Sequence, residues 1–185
     1  MAVRVVSPSL AQLPNALTVG RLGLIPLFVA LMLGNDGEGS WATAAVFALA
    51  GATDQIDGWL ARRWHVESEF GRFADPLADR LMIDAAVVLL TLDGRLPWPA
   101  LAVILVRDGA LILATPLAVR RGYEFEVNLL GKAATWILYA SLVGIVASDE
   151  GTAWALALFW TGLGLALAAT VEYAVSALRT MRGAH

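Results

Sequence analysis

Asp54-Gln-Ile-Asp57-Gly58-Trp-Leu-Ala61-Arg62, followed after eight residues by Gly71-Arg-Phe-Ala-Asp75-Pro-Leu-Ala-Asp79, sets four carboxylates between two long apolar runs. Asp54 and Asp57 stand at i and i+3, and Asp75 and Asp79 at i and i+4, so each pair shares one face of a helix. The segment between them is short enough for the two helices to be antiparallel neighbours. Two acidic faces can then converge inside an otherwise apolar protein. Segment three of the hydropathy profile, Leu77 to Leu92, is too short for a full crossing, and its helix is expected to begin upstream near Gly71.

Working outward, five more apolar segments appear: Pro14 to Leu33, Trp41 to Leu60, Trp98 to Val119, Leu129 to Ala147 and Thr152 to Leu178. Apolar residues make up 58% of the 185-residue chain without counting glycine, and charged residues only 16%. Soluble domains carry about 45–50% apolar residues with glycine included and about 25% charged. Together with a mean hydropathy of +0.68, this predicts an all-α integral membrane protein. Each crossing needs roughly 20 residues, so the length suits a single domain over 1–185 with six transmembrane helices and excludes a large two-domain transporter. The first segment lacks a small-residue cleavage pattern and reads as a true span rather than a removed signal peptide.

Orientation follows from the arginines, because short Lys/Arg-rich loops stay cytoplasmic. Arg4, then Arg62, Arg63 and Arg72, then Arg120 and Arg121, then Arg179 and Arg182 occupy alternate ends of the segments. The opposite loops, Gly34 to Ser40, Asp93 to Leu96 and Ser148 to Gly151, hold one arginine among them. Both termini are therefore expected in the cytoplasm. Trp41, Trp98 and Trp154 open segments two, four and six, where an outer aromatic belt would place them. Gly20, Gly23, Gly51, Gly162 and Gly164 lie within spans, where small residues permit close helix packing.

There is no cysteine, so disulfides, thiolate metal sites and cysteine nucleophiles are excluded. The net charge of −3 and the absence of a basic face argue against a nucleic-acid partner. An acid within a span is costly unless paired, and four together call for cations. Oxygen ligands without histidine or cysteine nearby suit Mg²⁺ or Mn²⁺, and two ions are the natural count, since paired metals stabilise the attacking and leaving oxygens of phosphoryl displacement. The bare helix surface at Gly58 and Ala61 lets a ligand approach the backbone, and Arg62 offers a phosphate partner. Pro76 suits the first turn of a helix, with Asp75 able to cap it. The competing view is a solvated loop in which the acids simply pair with Arg62, Arg63, Arg72 and Arg80.

The order Asp-x2-Asp-Gly-x2-Ala-Arg-x8-Gly-x3-Asp-x3-Asp, filled at every position from Asp54 to Asp79, resembles the signature of the CDP-alcohol phosphotransferases, and the six-segment layout resembles that family over the whole chain. The resemblance implies a membrane enzyme of the cytoplasmic (cell) membrane, commonly a homodimer, with its active site facing the cytoplasm. Such an enzyme moves a phosphatidyl or similar group from a CDP-linked donor, here CDP-diacylglycerol, to an alcohol and releases CMP. It also implies that Asp54, Asp57 and Asp75 are metal ligands and that Asp79 is a further ligand or the general base. Gly58, Ala61, Arg62 and Gly71 would line the CDP site. Asn15, Thr18 and Arg21, in a stretch similar to the family's opening helix, would lie near the donor phosphates or cytidine.

Two basic residues remain for the acceptor. Arg107, beside Asp108, sits well inside segment four, and Lys132 begins segment five in Gly131-Lys-Ala-Ala-Thr135. An intramembrane cation costs roughly 3 kcal/mol on insertion scales unless it snorkels or meets an anion. Arg107 and Lys132 are expected to bind a phosphate-bearing alcohol, against the plainer view of an Arg107–Asp108 pair and a snorkelling lysine. The Gly-Lys-x-x-Thr run resembles the branch containing phosphatidylglycerophosphate synthases and the cardiolipin synthases built on this fold. Glycerol 3-phosphate is thus the expected acceptor, with phosphatidylglycerol (giving cardiolipin) second and inositol phosphate third. A membrane prenyltransferase lacks the Asp-Gly-x2-Ala-Arg continuation, and a small cation transporter would place its acids nearer the midplane, commonly within internal repeats.

Overall fold

The computed structural model describes residues 13–64, 69–120, 129–148 and 153–183, with side-chain surroundings for 19–53, 80–114, 129–148 and 153–179. These residues form six helices and no strand: α1 (Leu13–Gly34), α2 (Trp41–Trp64), α3 (Glu69–Leu92), α4 (Trp98–Arg120), α5 (Leu129–Ala147) and α6 (Ala153–Gly183). Each coincides with one of the apolar segments. The largest departure is α3, which starts at Glu69, well before the apolar run at Leu77 and close to the expected start near Gly71.

Two helical stretches among the described residues are long and apolar enough to cross a membrane, Leu129–Ala147 and Ala153–Arg179, and they make the most extensive helix contact in the bundle. α1 packs on both α2 and α3, α2 also packs on α5, and α4 is held by α3 and α6. The core between these helices is apolar and fully buried at Phe28, Phe47, Met82, Leu90, Leu142 and Phe159. Phe28, Phe47 and Tyr139 form an aromatic file through α1, α2 and α5, with ring centroids 5.2 Å apart at each step.

At one end of the bundle three connections meet. Gly94, at φ +72°, ends α3 in a left-handed cap. Arg95 N donates to Leu90 O (2.8 Å) and Gly94 N to Thr91 O (3.1 Å), the pair of bonds that satisfies the last carbonyls of a helix. The cap turns the Arg95 side chain toward the end of α5, where its Nη2 donates to the carbonyls of Ile145 and Ser148. Ser40 N, at the entrance to α2, donates to Val146 O at 2.9 Å. The one arginine in the loops poor in basic residues is thereby engaged as the C-terminal cap of α5, where a cation meets the negative end of the helix dipole.

Close packing at glycine is found at only part of the expected set. A methyl group at Gly51 would stand 2.8 Å from the Tyr139 ring, and one at Gly162 would stand 3.0 Å from the Leu138 backbone nitrogen. Among the described residues, Gly20, Gly23 and Gly164 have nothing within 4 Å of such a methyl. Gly144 does serve close packing, against Trp154. Overpacking a filled core costs about 1–3 kcal/mol, and the Tyr139 ring is backed by Phe47. Gly51→Ala is therefore expected to lower the melting temperature of the detergent-solubilised protein, and Gly51→Ala with Tyr139→Leu to recover much of the loss. An unchanged melting temperature in the single variant would contradict the close approach of α2 and α5.

Candidate active site

The two aspartate pairs fall on α2 and α3, consecutive helices that pack against one another. Asp57 and Asp75 each lie about two helical turns from the helix ends that flank the 65–68 connection, and Asp54 and Asp79 each about 15 Å from them, taking 1.5 Å per residue. The pairs thus stand at matching depths on neighbouring antiparallel helices, which residue spacing alone does not fix because it depends on where each helix begins. The side chains of Asp54, Asp57, Asp75 and Asp79 lie outside the described set, as do those of Asn15, Thr18, Gly58, Ala61, Arg62 and Gly71; their backbone is helical. The donor set these helices offer is oxygen alone, a set that fits hard divalent cations.

Arg21, on α1, is fully buried. It stands about 12 Å along α1 from the end shared with the 65–68 connection, at the depth of the aspartates on the two helices that α1 packs against.

Beside the aspartates, facing α4 and α6, is a described cluster of charge. Arg80 follows Asp79 directly and so lies about 100° around α3 from it. Its Nη1 donates to Asp108 Oδ1 on α4 at 2.6 Å. Arg107 Nη1 donates to the same oxygen at 2.8 Å, and Arg107 Nε donates to Thr170 Oγ1 on α6 at 3.1 Å. Thr170 in turn donates to Ala166 O at 2.8 Å, which fixes its hydroxyl as an acceptor for Arg107. One turn beyond Arg80 on α3, Asp84 adds a second carboxylate beside Asp108, and its Oδ1 is buried without a hydrogen-bond partner.

The Arg107–Asp108 pair of the plainer view is therefore present, within a network of four ionisable groups on α3 and α4 that Thr170 joins from α6. Arg80, Asp84 and Thr170 were not singled out for the acceptor side. Arg80 and Asp84 carry a signal in the sequence, since they stand at i and i+4 one residue past the aspartate pattern. Thr170 carries none, being one hydroxyl in an apolar helix. Lys132 is exposed in the first turn of α5 and makes no hydrogen bond or ion pair with the described residues, so it stands apart from the Arg107 network.

Residues 11–171 match the CDP-alcohol phosphatidyltransferase family. Among similar proteins, a cardiolipin synthase (CMP-forming) of Streptomyces coelicolor is 40% identical over 82% of this chain and 72% of its own length. A probable phosphatidylglycerophosphate synthase of Mycobacterium tuberculosis is 32% identical over 94% and 85%. A CDP-diacylglycerol–glycerol-3-phosphate 3-phosphatidyltransferase of Arabidopsis thaliana is 36% identical over 83% of this chain and 56% of the relative. The chain belongs to the CDP-alcohol phosphatidyltransferase family. It is accordingly an enzyme of the transferase class, working in phospholipid synthesis.

Proposed function

We propose that this chain is an integral membrane phosphatidyltransferase that moves the phosphatidyl group of CDP-diacylglycerol to glycerol 3-phosphate and releases CMP. The observation that carries the reading is the full aspartate order from Asp54 to Asp79 on two packed helices, in a chain that belongs to the family. The phosphate on the acceptor is supported by Arg107, a guanidinium held inside the bundle on α4 whose Nη2 has no partner among the described residues.

In this reading Asp54, Asp57, Asp75 and Asp79 hold two divalent cations, Mg²⁺ or Mn²⁺. When bound, these ions supply charge neutralisation at the donor diphosphate. Asp79 takes the proton of the acceptor hydroxyl as its oxygen bonds to the phosphorus bearing diacylglycerol. The anhydride bond to CMP breaks, and its electron pair leaves with the CMP phosphate. Arg21, Arg62, Asn15 and Thr18 hold the donor phosphates or the cytidine, while Gly58, Ala61 and Gly71 leave room for the nucleotide against the helices. Arg107 and Lys132 orient the acceptor, and the chain works as a homodimer.

All six helices cross the cytoplasmic membrane, with both termini and the active site on the cytoplasmic side. Support comes from the arginine-rich ends and from Trp41, Trp98 and Trp154, all strongly exposed at helix starts as interfacial anchors are. Phosphatidylglycerol as acceptor is the second reading, favoured by the name of the Streptomyces relative.

Protein in lipid nanodiscs supplied with CDP-diacylglycerol, Mg²⁺ and glycerol 3-phosphate is expected to release CMP, and with phosphatidylglycerol in place of glycerol 3-phosphate to release little. Release with phosphatidylglycerol alone would move the assignment to the second reading. Asp57→Asn is expected to lower turnover on the order of 10²–10³-fold, as when one group stabilising transition-state charge is lost, while inserting normally; near-normal turnover would refute the metal assignment. The native chain has no cysteine, so topology can be read with single introduced thiols. Glu38→Cys should react with an impermeant maleimide added to intact cells, and Arg179→Cys only after permeabilisation. The reverse pattern would invert the orientation.

A further inference from the structure

The network at the α3–α4–α6 junction is graded in accessibility. The Asp108 side chain is 3% exposed, whereas Arg107 is 16% and Arg80 25% exposed. A buried carboxylate thus stands behind two partly open guanidiniums and gathers both on a single oxygen. The described bonds use Nη1 of Arg80 together with Nη1 and Nε of Arg107. Nη2 of each remains without a protein partner among the described residues. Two guanidiniums presenting unused donors side by side match the oxygens of a phosphate group.

From this arrangement we infer that Asp108 is a positioning residue, holding Arg80 and Arg107 as twin donors for the acceptor's phosphate, and that Arg80 shares that contact with Arg107. The inference rests on the phosphate-bearing acceptor proposed above and extends it to two residues outside that assignment. Arg80 is the link between the sites. It is bonded to Asp79 through the α3 backbone, so a phosphate held by Arg80 lies beside the helix position from which the acceptor hydroxyl loses its proton. Thr170 fixes the other guanidinium from α6, leaving the twin donors little freedom. Such preorganisation removes the cost of ordering two long side chains at the moment of binding. Asp84 stands against the carboxyl group of Asp108. Among the described residues it bonds to neither guanidinium, so its loss leaves the twin donors in place.

The test is steady-state kinetics in nanodiscs with donor and acceptor varied separately, and melting temperatures measured alongside. Asp108→Asn is expected to raise the KM for glycerol 3-phosphate about tenfold or more, with kcat within about threefold and the KM for CDP-diacylglycerol unchanged, the pattern of lost acceptor binding. Asp84→Asn is expected to leave the acceptor KM unchanged or lower it. Arg80→Gln should raise the acceptor KM, and Arg80→Lys should restore part of the loss. A parallel rise of both KM values in Asp108→Asn and Asp84→Asn, or a fall in kcat alone that follows melting temperature, would overturn the inference. Should Asp108→Asn fail to accumulate, Arg80→Gln decides, because it leaves the Arg107–Asp108 pair intact: a wild-type acceptor KM in that variant overturns the inference. If wild-type protein uses phosphatidylglycerol instead, the acceptor reading fails by itself, and the same variants measured on that lipid still judge the roles of Asp108 and Arg80.

Discussion

A charge within an apolar helical bundle has to be neutralised where it stands, because no water is at hand to solvate it. The shared bond of Arg80 and Arg107 to Asp108 meets that demand, and it also decides how α4 is held. Among the described helices α4 packs mainly on α3 and α6, and these are the helices that supply Arg80, Asp84 and Thr170. The polar network and the helix packing therefore coincide at one junction. Removing a single member of such a network leaves its partners buried and uncompensated, which costs more than the pairing itself contributes.

α3 also packs on α1 and α2. In the proposed reading α3 carries acids for the donor diphosphate and a guanidinium for the acceptor. Adjacent residues on a helix diverge by about 100°, so Asp79 and Arg80 leave α3 in different directions while remaining covalent neighbours.

The helices were legible because hydropathy and the long apolar runs mark their limits directly, as Trp41, Trp98 and Leu129 do at the starts of α2, α4 and α5. α3 was less so. Its first two turns, from Glu69, are acidic and glycine-containing, so hydropathy does not mark where the helix begins. Close packing at Gly51 could be anticipated only as a tendency, since whether a bare helix surface meets Tyr139 or open space depends on the neighbouring helix. Gly20 and Gly23 illustrate the other outcome. Arg107 and Asp108 were visible as intramembrane charges, but the sharing of Asp108 with Arg80 arises from the approach of α3 to α4 and has no trace in local spacing. Thr170 lies beyond reach for the same reason.

Arg95 illustrates how one side chain can satisfy two sets of rules. In the proposed orientation a positive charge in this loop works against the sorting of loops during insertion, and a chain with few charges to spare tolerates little such conflict. Lodged on the terminal carbonyls of α5, the guanidinium answers the partial negative charge of that helix end and no longer stands as a bare cation. The same contact staples the α3–α4 turn to the rim of α5, so the helices carrying the acids and the guanidiniums share a fixed anchor at this end. In the proposed mechanism that anchor keeps the bundle in register from one turnover to the next.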